Sequence, residues 1–492
     1  MTDAPKDPSR PEARAPRGMV DRRARDLAAE RRILAAVTGV YERFGFEALD
    51  TGALEYADAL GKFLPDADRP NEGVFALQDD DEQWMALRYD LTAPLARFAA
   101  QNWETLPKPF RRYATGQVWR NEKPGPGRFR EFTQCDADTV GSARPEADAE
   151  IIAMAVEGFA AAGLPAGAFQ LKINSRRLLN GLMDAAGVVE EGQKLAVLRA
   201  VDKLDRLGPE GVTLLLGAGR LDESGAFTKG AGLSAKAIEA VLAFTAAGAG
   251  RGETLDRLAD VIGASAEGDA GLSDLAAIDR ALATMGVGAD QAVFDPAIVR
   301  GLEYYTGAVF EADLNLQSTD ERGQAVRFGS VGGGGRYDDL VARFTGQRTP
   351  ATGFSFGVSR LAAALKAAGQ DLGAQARGPV VVLALDQAAM GEYFAAAGEL
   401  RAAGIAAEVY LGSSGMRPQM KYADRRLSPA AVILGGDEIA AGTVTIKDLD
   451  LGRELAAGVT DNAAWREQRP GQVNVPRGEL VAQIRRILGE GR

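Results

Sequence analysis

The sequence predicts an α+β domain built on an antiparallel sheet, interrupted by an inserted helical domain and followed by a small α/β domain. Three observations carry this. Within residues 112–138 two strand-like runs, RRYATGQVWR and FREFTQCDAD, flank the polar loop NEKPGPGR, the pattern of an antiparallel hairpin. Between about Arg176 and Ala292 the composition shifts to Ala, Leu, Gly and charge at helical spacing, with few aromatics. After a Gly-, Gln- and Ala-rich linker at about 367–378, strand-like and helical segments alternate, which reads as an α/β unit. A chain of 492 residues fits about three domains of roughly 150 residues each.

Each element follows in order. Residues 1–18 are rich in Pro, Ala and charge without an apolar stretch, so they read as a disordered tail and not a secretion signal. Asp3, Asp7 and Glu12 argue against an acid-poor mitochondrial presequence, which makes the cytoplasm the expected location. From about Leu27 apolar residues recur at helical separations, Leu27, Leu34, Val37, Tyr41 and Phe44, ending at Gly45; a strand should follow at 46–54. WMALRYD predicts a short strand and Thr92-Ala93-Pro94 a helix start, because proline suits the first turn. Strand-like runs at 304–312 and 325–331, a four-glycine turn at Gly332–Gly335 and a strand-helix unit from Gly353 complete the first domain. That domain spans 19–175 and 293–366 around the insertion at 176–292. VVVLALD, a helix through Arg401, AAEVYL, a helix near 416–427 and AAVILGG form the last domain, 379–455, leaving an extension at 456–492.

Composition narrows the chemistry. One cysteine, Cys135, excludes an intrachain disulfide and fits a reducing compartment. The chain contains 0 histidines, which excludes histidine triads, His-based zinc sites and imidazole acid–base catalysis. Chemistry therefore falls to Arg, Lys, Asp, Glu, Tyr, a bound metal or the substrate, and any pH effect between 5 and 8 reports a bound group or a perturbed side chain. No run approaches the roughly 18 apolar residues of a membrane span, so no membrane partner is expected. The net charge of −11, from 57 basic and 68 acidic residues, disfavours indiscriminate nucleic-acid binding, DNA included, while leaving room for a local basic patch.

The hairpin carries the strongest chemical signal. Side chains alternate faces along a strand, so Arg128, Arg130, Phe132, Gln134, Asp136 and Asp138 share one face by parity. At about 3.4 Å per residue, Phe132 and Asp138 stand roughly 20 Å apart, the length of an aminoacyl-adenylate laid along the strand. A solvated hairpin face is the competing reading of the same alternation.

VWRNEKPGPGRFREFTQCDAD resembles motif 2 of the class II aminoacyl-tRNA synthetases, with Arg120, Glu122 and Arg128 in the places of its two arginines and intervening glutamate. LRYDLTAPLARF, QCDAD, VDKLDRLG and RGLEYYTGAVFE resemble histidyl-tRNA synthetases in particular, and GFSFGVSRL is similar to motif 3. By parity Gly353, Ser355 and Gly357 form a small-residue face that admits a ligand, with Phe354, Phe356 and Val358 behind it. The family often has Glu at the position of Ser359, and motif 1 usually has Pro at that of Gly52.

The resemblance implies a class II synthetase-like fold, ATP and Mg²⁺ as cofactors, L-histidine and histidine tRNA as substrates, and a homodimer. Arg120 would bridge the histidine carboxylate and the α-phosphate, with Arg300 opposite. Glu122, Arg128, Phe132 and Arg360 would bind ATP, the arginines on the β,γ-phosphates and Phe132 on adenine. Asp90, Thr92 and Gln134 would take the amino group; Asp138, Tyr304, Tyr305 and Tyr337 belong to the histidine pocket. Lys123 in the motif 2 loop would face tRNA. Residues 379–455 resemble the anticodon-binding domain of related synthetases, where Arg417, Lys421 and Arg425 lie four apart on one helix face and would track RNA phosphates. A solvated helix face is the alternative for that stripe. For the whole chain the alternatives are a catalytically silent regulatory subunit and a sensor of uncharged tRNA.

Overall fold

The computed structural model describes residues 11–60, 73–125, 127–221, 225, 227–248, 250–299, 305–316, 328–370, 372–373, 377–456 and 471–489. The chain forms two units, Met1–Ala374 and Gln375–Arg492.

In the first unit, helix α1 (Ala24–Arg43) ends where Gly45 takes a positive φ of 79°, a conformation that favours glycine. Strand β1 (Glu47–Ala48) is short, and β2 (Leu54–Tyr56), β3 (Ala76–Gln78) and β4 (Trp84–Leu87) make a small sheet of order β2-β4-β3. The Asp90 carboxylate accepts from the backbone N–H of Thr92 and Ala93, at 3.2 and 2.9 Å, and so caps α2 (Thr92–Asn102). The hairpin is β5 (Phe110–Trp119) and β6 (Glu131–Val140), followed by α3 (Pro145–Ala161) and β7 (Phe169–Ser175). Next come α4 (Arg176–Ala185), α5 (Glu191–Val201), α6 (Leu204–Leu216), a ribbon of β8 (Gly219–Leu221) and β9 (Phe227–Lys229), α7 (Ala235–Thr245), α8 (Arg251–Ile262) and α9 (Ala266–Thr284). The unit closes with β10 (Ala292–Phe294), β11 (Ala308–Leu314), β12 (Gly332–Arg336), α10 (Ala342–Thr345), β13 (Ala351–Gly357) and α11 (Val358–Ala367).

The main sheet runs β1-β5-β6-β13-β12-β11-β7-β10, antiparallel at its centre with parallel pairs at both edges. Helices α1, α3 and α11 cover one face, against which Cys135, Ala137, Phe354 and Phe356 are buried. The other face is free to form a site, as the parity of the two motifs required.

Two expectations change. The glycines at 332–335 are not a turn but the strand β12, paired on both sides in the sheet centre. A glycine run reads as a turn because glycine has low strand propensity; here a Cβ at Gly334 would stand 2.0 Å from the Gly353 carbonyl, so only glycine fits. The helical segment, moreover, shares one continuous core with the sheet: Leu178, Leu275, Ile278 and Leu282 are buried in the same cluster as Phe159 and Phe356. Its apolar helix faces pack on one another and, through α4 and α9, on α3 and β7 as well.

The second unit alternates β14 (Val380–Val382), α12 (Met390–Ala402), β15 (Ala407–Val409), α13 (Met416–Arg425), β16 (Ala430–Ile433), α14 (Gly436–Ala441), β17 (Thr443–Asp448) and α15 (Leu449–Ala456). Strand β18 (Gln472–Pro476) then completes a sheet of order β15-β14-β16-β17-β18. A last helix, Leu480–Leu488, buries Leu480 and Ile484 in the same core as Tyr393 and Leu400. The region set apart as an extension from 456 thus supplies an edge strand and a packing helix to this fold.

Candidate active site

The uncovered face of the main sheet forms a cleft of about 280 Å³. Strand β6 is its floor. Phe132, Gln134, Asp136 and Asp138 all line the cleft, while Cys135 and Ala137 face the helices. Gln134, Asp136 and Asp138 are buried, which removes the solvated-face reading. Parity fails upstream of the strand: Arg130 turns aside, its Nε donating to the Glu122 carbonyl at 3.0 Å, because the chain leaves the pleat before Glu131.

Charge is segregated along the cleft. At one end stand Arg120, Glu122, Lys123, Arg128, Phe132 and Arg360. The Arg120 guanidinium lies 5.2 Å over the Phe132 ring, and its Nε donates to the Tyr89 carbonyl at 3.0 Å. Arg360, at the start of α11, donates to the Ser330 carbonyl at 2.7 Å and the Gly127 carbonyl at 3.3 Å, tying the loop between β5 and β6 to the approach to β12. A planar guanidinium fork is a group suited to phosphate oxygens.

The other end is acidic and closed. Asp90, Thr92, Gln134, Asp136, Asp138, Tyr305 and Tyr337 meet there. Tyr337 Oη donates to Asp138 Oδ1, and Arg112 Nη2 lies 3.0 Å from Asp138 Oδ2. Burial raises the carboxyls of Asp90 and Asp138; backbone N–H groups and Arg120 oppose it at Asp90, Arg112 and Tyr337 at Asp138. Burial and the neighbouring Asp138 push Asp136 up to about 8, against the pull of Arg112 and Ser355. Ser355 stands close, yet no hydrogen bond of normal geometry joins it to Asp136; its Oγ instead accepts from Gln134 Nε2 at 2.7 Å.

Eleven residues expected in the catalytic site from the sequence therefore line this one cleft, together with Lys123, expected to face tRNA. Arg300 and Tyr304 lie outside the described residues. Arg417, Lys421 and Arg425 stand exposed on α13 in the second unit, and no described carboxylate pairs with any of the three. Ser359 does not face the cleft: its Oγ accepts from the Thr133 N–H at 3.0 Å and from Arg22 Nη1 at 3.1 Å. Sequence reasoning assigned no role to Arg112 or Asp136. Asp136 was signalled by its parity; Arg112 had no signal without the strand register.

An antiparallel sheet with arginines and an aromatic ring at one end of a cleft, and buried carboxylates at the other, is the architecture of a class II aminoacyl-tRNA synthetase. Residues 18–361 match the family described as histidyl-tRNA synthetase, and residues 379–486 match an anticodon binding domain. The chain belongs to the histidyl-tRNA synthetase family. It is 74% identical over 490 residues to a histidine–tRNA ligase of Caulobacter vibrioides, covering 99% of both chains. A histidine–tRNA ligase of Brucella suis is 55% identical over 482 residues, 97% of this chain and 96% of the relative. The crystal structure of histidyl-tRNA synthetase from Nostoc sp. superposes with a TM-score of 0.72 at 27% identity, covering 97% of this chain and 100% of that one.

Proposed function

We propose that this chain uses ATP to activate L-histidine as histidyl-adenylate and then passes the histidyl group to histidine tRNA. The observation that carries this is the segregation of charge along one cleft, cations and an aromatic ring at one end, buried acids and hydroxyls at the other. In the first step the substrate carboxylate attacks the α-phosphorus, an O–P bond forms, and the bond to the leaving pyrophosphate breaks. The nucleophile is already anionic, so positioning and charge neutralisation suffice and no general base is required. A chain without histidine can therefore run it. In the second step a terminal tRNA hydroxyl attacks the adenylate carbonyl and AMP leaves.

Arg120 bridges carboxylate and α-phosphate, and Arg300, outside the described residues, would contact the same phosphate; Arg128 and Arg360 hold the β,γ-phosphates and Phe132 stacks on adenine. Mg²⁺ would sit with the triphosphate, at the end of the cleft where Glu122 supplies a carboxylate. Bound there, the ion neutralises phosphate charge. Asp90, Thr92 and Gln134 receive the ammonium, Asp138, Tyr305 and Tyr337 enclose the ring, and Tyr304, outside the described residues, would join them. Lys123 faces the tRNA acceptor end, and the α13 cations follow RNA phosphates.

No helix among the described residues is long and apolar enough to cross a membrane, and one buried cysteine suits the reducing cytoplasm. The exposed Leu54, Tyr56, Leu77 and Trp84 of the β2-β4-β3 sheet support assembly as a homodimer, which would cover them.

ATP–pyrophosphate exchange across the twenty amino acids tests the reading: exchange should appear with L-histidine alone, and none with L-histidine overturns it in favour of a silent subunit or a tRNA sensor. Arg300→Lys should collapse exchange while tRNA affinity stays near normal.

A further inference from the structure

The three carboxylates at the acidic end differ in what already holds them. Asp138 has Tyr337 on one oxygen and Arg112 on the other. Asp90 has committed Oδ1 to the first turn of α2. Asp136 is 1% exposed, faces the cleft, and has no hydrogen-bond partner on either oxygen. A buried carboxylate left in this state is costly unless something brings it a donor.

A count of donors and acceptors shows what is missing. Histidine brings three ammonium N–H groups and at least one ring N–H. The free oxygen of Asp90, the Thr92 hydroxyl and the unpartnered Gln134 Oε1 make three acceptors for the ammonium. For the ring, Tyr305 offers a hydroxyl. Asp138 is bonded by Tyr337 at Oδ1 and ion-paired with Arg112 at Oδ2, an oxygen that has no hydrogen bond of its own; Asp136 has neither a hydrogen bond nor an ion pair from the described residues, and is the cleft carboxylate left uncommitted for the ring N–H. On β6 the Asp136 Cα lies about 7 Å from that of Gln134 and from that of Asp138, midway between the ammonium and ring ends.

We propose that Asp136 is a substrate-binding, specificity-determining residue whose carboxylate accepts the ring N–H of the bound amino acid, beside Asp138, which Arg112 and Tyr337 hold in place. This rests on the reading of histidine as the substrate. The raised Asp136 carboxyl accords with it, since the group ionises fully only when a donor arrives.

The test compares L-histidine with 3-(thiazol-4-yl)-L-alanine, in which the ring has no N–H, by pyrophosphate exchange in the full chain and in Asp136→Asn and Asp136→Ala. Losing a bond to a charged group should cost about 10- to 100-fold in kcat/KM for histidine, mainly through KM. The thiazole compound, poor from the start, should lose nothing further. Equal losses for both compounds, or no loss for histidine, overturn the proposal. Thermal unfolding without substrate separates a structural role: Asp136→Asn removes a buried carboxyl that has no hydrogen-bond partner, so its Tm should hold or rise, and a fall overturns the assignment. A wild-type chain that activates a different amino acid instead overturns the substrate reading and this inference with it; selective use of histidine with equal losses overturns Asp136 alone.

Discussion

Arg112 and Asp138 are register partners across the β5–β6 hairpin, with Nη2 3.0 Å from Oδ2 and both side chains buried. The same Nη2 donates to the Leu91 carbonyl at 2.8 Å. One guanidinium thus links the acidic end of the cleft to the segment that carries Asp90. Arg112→Gln strands a buried carboxylate and should cost about 3–5 kcal/mol in urea unfolding, with a raised KM for histidine. A loss below about 1 kcal/mol would show that the pair does not hold the site.

Gly353 faces Asp138 from β13. A Cβ there would stand 1.9 Å from Asp138 Oδ1 and 2.8 Å from the Ala137 carbonyl. The carbonyl cannot yield, so Gly353→Ala should abolish exchange. Gly391, on α12, has nothing within 4 Å of its Cβ position, and Gly391→Ala should stabilise by about 0.5–1 kcal/mol. If both variants behave alike, close approach at β13 is not the cause.

The ligand-free chain should lose stability as pH rises from about 4 to 8. Asp136 titrates at about 8 and Asp148, buried beside Arg336, at about 6, both above the ordinary value near 4. Across that window the native chain keeps protons the unfolded chain has released, so each group contributes a slope of about 1.4 kcal/mol per pH unit until its native pKa is passed. Asp148 should stop contributing near pH 6 and Asp136 near pH 8. Denaturation of wild type and Asp136→Asn at pH 5 to 8 should give a difference that grows with pH in favour of Asn; a constant difference would count against it.

Arg360→Lys keeps the charge and loses the fork that donates to Ser330 and Gly127. KM for ATP should rise at least tenfold while KM for histidine changes less than twofold, both read from exchange kinetics. The reverse ordering would remove Arg360 from the triphosphate end.

Neutralising Arg417, Lys421 and Arg425 to Gln should leave amino-acid activation intact and weaken tRNA binding. If all three meet phosphates, the slope of log K against log salt should flatten by about 2 to 3. An unchanged slope would return α13 to an ordinary solvated helix.

Much of the site was visible in one dimension because strand parity is local. The alternation in FREFTQCDAD already separated Gln134, Asp136 and Asp138 from Cys135 and Ala137, and GFSFGVSRL separated Ser355 from Phe354 and Phe356. The register of Arg112 opposite Asp138 was not visible. An eight-residue loop leaves the pairing free to slip by one residue, and each such slip turns every side chain to the other face.

Residue order alone was enough to specify the hairpin, the strand-helix turn before Arg360, the α/β alternation of the second unit and the charge types brought to the cleft, since each depends on neighbours within a few positions. Packing had to settle the rest. The glycines of β12 became a strand because β11 and β13 supply its hydrogen bonds from either side, and β18 with the last helix joined a sheet begun nearly a hundred residues earlier. Which carboxylate stays without a partner follows the same logic: the claims on Asp90, Asp136 and Asp138 come from β5, β12, β13 and the start of α2, which meet only when the sheet has closed.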